Sequence, residues 1–256
     1  MKNTILRTAL SLCLLPVGFS RNADSYDGSR GAATIAFGPQ QSLGQIDKNP
    51  STPFLRYSRD GRLHAVWTED HDSPSPKATA LTQQHHGTGE LEPSPMRNAV
   101  IASSTDGGQT WSAHRRVNSQ VKAVQGEENG PKVAFAPGNK AYVVWSIPGT
   151  KGDKTRADIR FAMDDGKDGY TAARTVNEIE DTARFPMIEF APDGNLMLAW
   201  IDRRIDNPKP RQLYLMWLGP EGNALTRNYS VGQGLCEVLQ ARVNFCQQNS
   251  LHSRSA

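Results

Sequence analysis

The sequence predicts an all-β fold built from about three four-stranded units. Three observations carry that expectation. A proline-to-tryptophan segment recurs three times, each copy reads as strand, tight turn and strand, and a second apolar strand pair follows each copy. Glycine (22) and proline (16) are plentiful, as many short strands joined by turns require.

The first element is an export signal over residues 1–20. Lys2 and Arg7 make a positive start, and residues 9–19 are mostly apolar and too short to span a bilayer. A buried first strand or helix is the alternative. Cleavage after Ser20 sends the protein to the periplasm or the medium, and Cys13 sits wrongly for a lipoprotein signal. No other segment reads as a membrane span. Residues 21–50 are a lead-in. With the signal removed, Cys236 and Cys246 remain, and they either pair in an oxidising compartment or stay as thiols.

The repeat then sets the register. Residues 53–67, 131–145 and 186–200 each run from proline to a tryptophan fourteen positions later. The third position is aliphatic (Leu55, Val133, Ile188) and the fifth aromatic (Tyr57, Phe135, Phe190). A turn pair sits midway: Asp60 and Gly61, Gly138 and Asn139, Asp193 and Gly194. In unit one, the second hairpin holds the octapeptide 104–111, in which Ser104, Asp106, Gly108, Thr110 and Trp111 form a turn with an aromatic anchor, and it ends at Val117 and Asn118. Unit two carries a degraded copy (Ala162, Asp164, Gly166, Tyr170) and ends at Val176 and Asn177. Unit three keeps apolar strands around residues 220–222, has no such turn, and ends near Val231.

Two hairpins per unit make a four-stranded sheet, which is one propeller blade. The blades are expected at about 51–120, 128–178 and 184–231, with residues 71–97 forming a long loop inside the first. The tail 232–256 lacks proline, an Asp-Gly turn and alternation. About four to eight blades close a propeller. Either the chain is a truncated member of a six-bladed family, or it is a short protein that closes by forming a homodimer.

The octapeptide resembles the Asp box, or BNR repeat, of the sialidase superfamily. The resemblance implies a β-propeller of six blades, with the box on the outer rim and away from the active site, and an exo-α-sialidase type of glycoside hydrolysis in the full-length form. The family opens its first blade with Arg-Ile-Pro, an Asp-Gly turn and a strand ending Ala-Glu-x-Arg. Pro53 and Gly61 match, but the two arginine positions fall on Ser51 and Asp70. The acid expected before the box finds only Glu90, Glu92 and Asn98, and Tyr214 and Tyr229 have no supporting motif for a nucleophile. A non-catalytic glycan- or protein-binding scaffold is therefore the alternative to an enzyme.

Loops after the three tryptophan-ended strands gather at one end, where propellers carry their sites. They supply the substrate-binding candidates Glu69 and Asp70 from blade one and Asp202, Arg203 and Arg204 from blade three, with Ser146 and Lys151 from blade two. Carboxylates beside arginines suit a polar or anionic glycan; ordinary solvated loop charges are the competing reading. A formal net charge of +3 points to no nucleic-acid partner. His85–His86 and Glu127–Glu128 read as loop residues, so no metal or cofactor is expected.

Overall fold

The computed structural model describes residues 43, 46–71, 97–119, 129–149, 157–204 and 211–233. The export segment, the segment 72–96, Glu127, Glu128, Lys151, Cys236, Cys246 and the tail beyond 233 lie outside them. All the described residues fall in the unit Gln41–Phe245. No helix among them is long and apolar enough to cross a membrane.

Among the described residues, twelve strands form three antiparallel four-stranded sheets in simple up-and-down order. Blade one is β1 (Ser51–Tyr57), β2 (Leu63–Asp70), β3 (Arg97–Ser104) and β4 (Arg115–Arg116). Blade two is β5 (Lys132–Phe135), β6 (Ala141–Pro148), β7 (Ala157–Met163) and β8 (Arg174–Thr175). Blade three is β9 (Ala183–Phe190), β10 (Leu196–Asp202), β11 (Gln212–Leu218) and β12 (Tyr229–Gln233). β12 runs two residues past Val231, where the last blade was expected to end. β1, β5 and β9 are innermost: β5 adjoins both of the others, and Arg56 Nη2 of β1 donates to both carboxylate oxygens of Glu189 of β9.

The repeat spacing has a direct structural consequence. Side chains alternate across a strand, so a fixed distance from proline to tryptophan puts each tryptophan on the same face of its blade. Trp145 points toward blade one and packs with Val66, Ile101 and Val117. Trp200 points toward blade two and packs with Val144, Ile159, Phe161 and Val176. The interblade seams are thus filled by alternate residues of the same strands. Full burial of such side chains contributes about 1.5–3 kcal/mol each.

Polar contacts fasten the outer strands to their blades and the blades to one another. The Val-Asn pair ending the second hairpin of blades one and two extends the outer ladder by one rung. Asn118 Oδ1 accepts from the Ala99 N–H at 2.9 Å, and Asn177 Oδ1 from the Ile159 N–H at 2.8 Å. Two residues earlier, an arginine on the short edge strand reaches a turn of the next blade. Arg115 lies 3.9 Å from both Asp164 and Asp168, and Arg174 Nη2 donates to the Gly222 carbonyl at 2.7 Å. Tyr142 adds a hydrogen bond from its hydroxyl to the Pro220 carbonyl.

The octapeptide turn closes on itself. The Gly108 N–H donates to Ser104 Oγ at 2.8 Å, and Ser104 Oγ–H donates to Asp106 Oδ1 at 2.7 Å. The Thr110 N–H and hydroxyl both reach the Asp106 carboxylate, at 2.9 and 2.6 Å. Trp111 Nε1–H donates to the Gly108 carbonyl at 3.0 Å. Gly108 has φ +97°, a conformation other residues reach only under strain. In the unit-two copy, Asp164 and Asp165 accept from backbone N–H groups of Gly166 and Lys167 instead.

Candidate functional site

The two ends of the blades are chemically distinct. At one end, the turns between first and second strands adjoin: the Asp60 N–H donates to Asn139 Oδ1 at 3.2 Å. At the other end, β2, β6 and β10 terminate beside the starts of β1, β5 and β9. This second end carries all five predicted binding residues.

In blade one, Glu69 lies two residues after Trp67 and is buried. Its Oε1 accepts the Trp67 indole N–H at 2.8 Å, and its Oε2 stands 3.4 Å from His114 Nε2. Asp70 pairs with Arg97, its cross-strand neighbour, at 3.3 Å, but neither Asp70 Oδ1 nor Arg97 Nε finds hydrogen-bond geometry. Arg97 Nη2 instead donates to the Asn49 carbonyl. Burial pulls the Arg97 pKa below the usual guanidinium range, against the opposing pull of Asp70.

In blade three the same spacing gives a denser arrangement. Asp202, two after Trp200, is buried and accepts five hydrogen bonds. Its Oδ2 receives the Trp200 indole N–H at 3.0 Å, the Thr182 hydroxyl at 3.3 Å and Arg204 Nη2 at 2.8 Å. Its Oδ1 receives Arg204 Nε at 2.9 Å and the Arg204 backbone N–H at 2.8 Å. The guanidinium of Arg204 also lies 3.8 Å over the Tyr214 ring. Burial alone would lower the Arg204 pKa, but the hydrogen bond and charge of Asp202 outweigh it and the pKa is raised. Arg203 continues the strand pairing, its N–H donating to the Thr182 carbonyl at 2.8 Å.

Blade two departs from both. Ile147 occupies the position of Glu69 and Asp202, and Ser146 is fully buried with no hydrogen-bond partner for its Oγ. Its polar cluster is built instead on Asp158, which accepts from Asn177 Nδ2 and the Asp181 N–H, both at 2.8 Å. Asn129 Oδ1 accepts from the Phe185 N–H at 2.9 Å and ties this end of blade two to blade three.

The acids therefore bind arginines of their own blade: Asp70 meets Arg97, and Asp202 meets Arg204. Sequence reasoning passed over Arg97, His114 and Arg184. For Arg184 a signal was present. Arg184 and Arg203 lie two before and seventeen after Pro186, the offsets at which unit one has Ser51 and Asp70 relative to Pro53. Arg184 is the second residue of the inner strand, opposite Ile201 in the β9–β10 register, and its guanidinium lies 4.6 Å over the Phe185 ring. Phe185 takes φ +57° just before Pro186, as Thr52 takes φ +55° just before Pro53. Both sit at irregularities in strand register, so the two inner strands enter their blades through equivalent bulges.

No family model matches the chain, and no curated protein matches it. Solved structures similar to it include the α-L-arabinanase of Penicillium chrysogenum complexed with arabinobiose, at 19% identity and TM-score 0.45, covering 73% of this chain and 50% of that one. The α-L-arabinofuranosidase Arb93A of Fusarium graminearum with an iminosugar inhibitor matches at 18% identity and TM-score 0.42, covering 72% and 49%. A family 117 glycoside hydrolase of Zobellia galactanivorans matches at 18% identity and TM-score 0.40, covering 71% and 54%. The chain spans about half the length of these structures. Such identities and scores carry no substrate from those proteins to this chain.

Proposed function

We propose that this chain is an exported β-propeller of the sialidase, Asp-box type that binds glycans at the end of blade three. Its ligand is an anionic sugar whose carboxylate is held by Arg184 and Arg203. The observation that carries this reading is the pairing of β9 with β10, which brings the start of one strand and the end of the other to the same edge of the blade. Arg184 near the start of β9 and Arg203 just after β10 bring two guanidinium groups to one edge of the blade, and guanidinium is the side chain best suited to a carboxylate. Asp202 and Arg204 fix the end of β10 through their mutual hydrogen bonds. Glu69 and Asp70 form the blade-one side of the same end.

The reading is of binding rather than hydrolysis. Glycoside cleavage needs a second group opposite the acid, acting as nucleophile or base. Glu69 and Asp202 are both already engaged by indole N–H groups of their own strands.

A glycan array with sialylated, uronate-bearing and neutral arabinose-containing arms tests the proposal. Retention is expected on the carboxylated arms and loss of it in Arg203→Ala. Equal retention on neutral arms, or no retention anywhere, would overturn it. Turnover of a fluorogenic sialoside, lost in Asp202→Asn, would replace binding with catalysis.

A further inference from the structure

The position two before the repeat proline is filled by Ser51, Asn129 and Arg184 in blades one, two and three. The three side chains do different things. Ser51 Oγ stays within blade one, 3.0 Å from Thr68 Oγ1. Arg184 carries its guanidinium at the polar end of blade three. Asn129, 4% exposed, leaves its own blade, and its Oδ1 accepts the Phe185 N–H of blade three at 2.9 Å. Phe185 needs such a hold. Its φ of +57° is a left-handed conformation that a bulky side chain rarely adopts, and the proline that follows favours extended backbone here instead. Backbone of this kind persists only where its surroundings fix it.

The same backbone decides where Arg184 points. Ala199 pairs with Met187 and Ile201 with Arg184, which leaves Phe185 and Pro186 together opposite Trp200. Two residues against one is a β-bulge, a device that re-aims a side chain. In a regular strand adjacent side chains point to opposite faces, so a guanidinium does not lie over the ring of the next residue. Here it does, at 4.6 Å. Blade one has the equivalent bulge, with Thr52 at φ +55°, but no arginine before it. We infer that Asn129 is a positioning residue: from blade two it holds the bulge at Phe185 and thereby aims the Arg184 guanidinium. Blade two, where Ile147 replaces the acids Glu69 and Asp202, thus contributes to this end by bracing its neighbour. The consequence for a ligand rests on the anionic-glycan reading above, whereas the brace is a property of the protein alone.

Nuclear magnetic resonance of the full chain tests the brace without a ligand. In Asn129→Ala the Phe185 amide is expected to exchange with solvent about tenfold faster or more. The Arg184 side-chain protons should lose the shift that the Phe185 ring imposes on them. Asn129→Asp keeps the acceptor and should keep both signals. Asn129→Ser, whose shorter side chain withdraws the acceptor, stands in for Asn129→Ala if that variant does not fold. Calorimetry with a carboxylated glycan then reads the consequence. Affinity should fall about fivefold in Asn129→Ala but no further when that change is added to Arg184→Ala, because a positioning residue acts through the residue it positions. Unchanged exchange and shifts in Asn129→Ala would overturn the inference, as would an equal loss of affinity with and without Arg184. If the unaltered protein binds no carboxylated glycan while both signals respond to Asn129→Ala, the anionic-glycan reading falls and the brace stands.

Discussion

Blades one and three share a repeat but stabilise its polar end by different means. Each places a carboxylate two residues after its tryptophan, and in each the indole N–H donates to that carboxylate. In blade three the carboxylate also takes a bidentate guanidinium, a hydroxyl and a backbone N–H. In blade one the acid meets only a histidine, and the neighbouring Asp70–Arg97 pair is in contact without hydrogen-bond alignment. Two arginines feel this difference in opposite directions, Arg204 raised and Arg97 lowered. One spacing can thus give either a saturated charge cluster or a loosely satisfied one, depending on whether an arginine follows the acid by two residues.

The largest test of that contrast is removal of the two acids. Asp202→Ala strands the Arg204 guanidinium, whose side chain is only 14% exposed, and is expected to cost about 3–5 kcal/mol in denaturant unfolding. Glu69→Ala strands one indole N–H and is expected to cost about 1–3 kcal/mol. Equal costs would mean that the extra donors in blade three contribute nothing.

A second test compares the outer turns. Blade three's turn depends on a close approach: at Gly222, φ +75°, an added Cβ would lie 2.6 Å from Arg174 Nη2 and 3.3 Å from Phe161 and Met163. Gly222→Ala should cost about 1–2 kcal/mol for the backbone alone and lower the melting temperature further by displacing Arg174. Blade one's turn is held by its own side chains, so Ser104→Ala should cost about 1 kcal/mol. If Gly222→Ala is neutral, the Arg174 contact does not fasten the seam.

The smallest effect is one of pH. Hydrogen bonds from Thr110, first through its hydroxyl, hold the Asp106 pKa well below the usual carboxylate range. A depressed folded pKa means that the unfolded chain binds more protons as pH falls. The stabilisation is present above the ordinary carboxylate pKa of about 3.9 and is lost as pH drops below it toward the folded value. Asp106→Asn should flatten that part of the melting-temperature profile. His64 acts higher on the scale: burial against Phe135 lowers its pKa, so stability present above about 6.5 declines on acidification. His64→Gln should remove that slope.

The fold was legible because the repeat is covalent information. A proline, an aliphatic, an aromatic, a turn pair and a tryptophan at constant spacing fix strand, turn and face together, and the three sheets follow. The geometry of the octapeptide turn was legible for the same reason: Ser104, Asp106 and Gly108 act within a few residues of one another. The partners at the polar end were not. Asp70 meets Arg97 across a segment of twenty-six residues, and Glu69 meets His114, a residue with no motif of its own. Arg204 reads as a ligand contact in the sequence, yet its three hydrogen bonds to Asp202 depend on register and rotamer, which sequence spacing does not specify. Arg184 was readable from its offset to Pro186, but only when unit three is aligned on unit one.

The central claim is that the end of blade three, and not that of blade one, holds an anionic glycan. Titration calorimetry with one carboxylated glycan, on Arg184→Ala, Arg203→Ala and Arg97→Ala, tests it most directly. Affinity should fall at least tenfold in the first two and stay within about twofold in the third, equivalent to about 1.4 kcal/mol against less than 0.5. Equal loss in all three, or loss only in Arg97→Ala, would contradict the account.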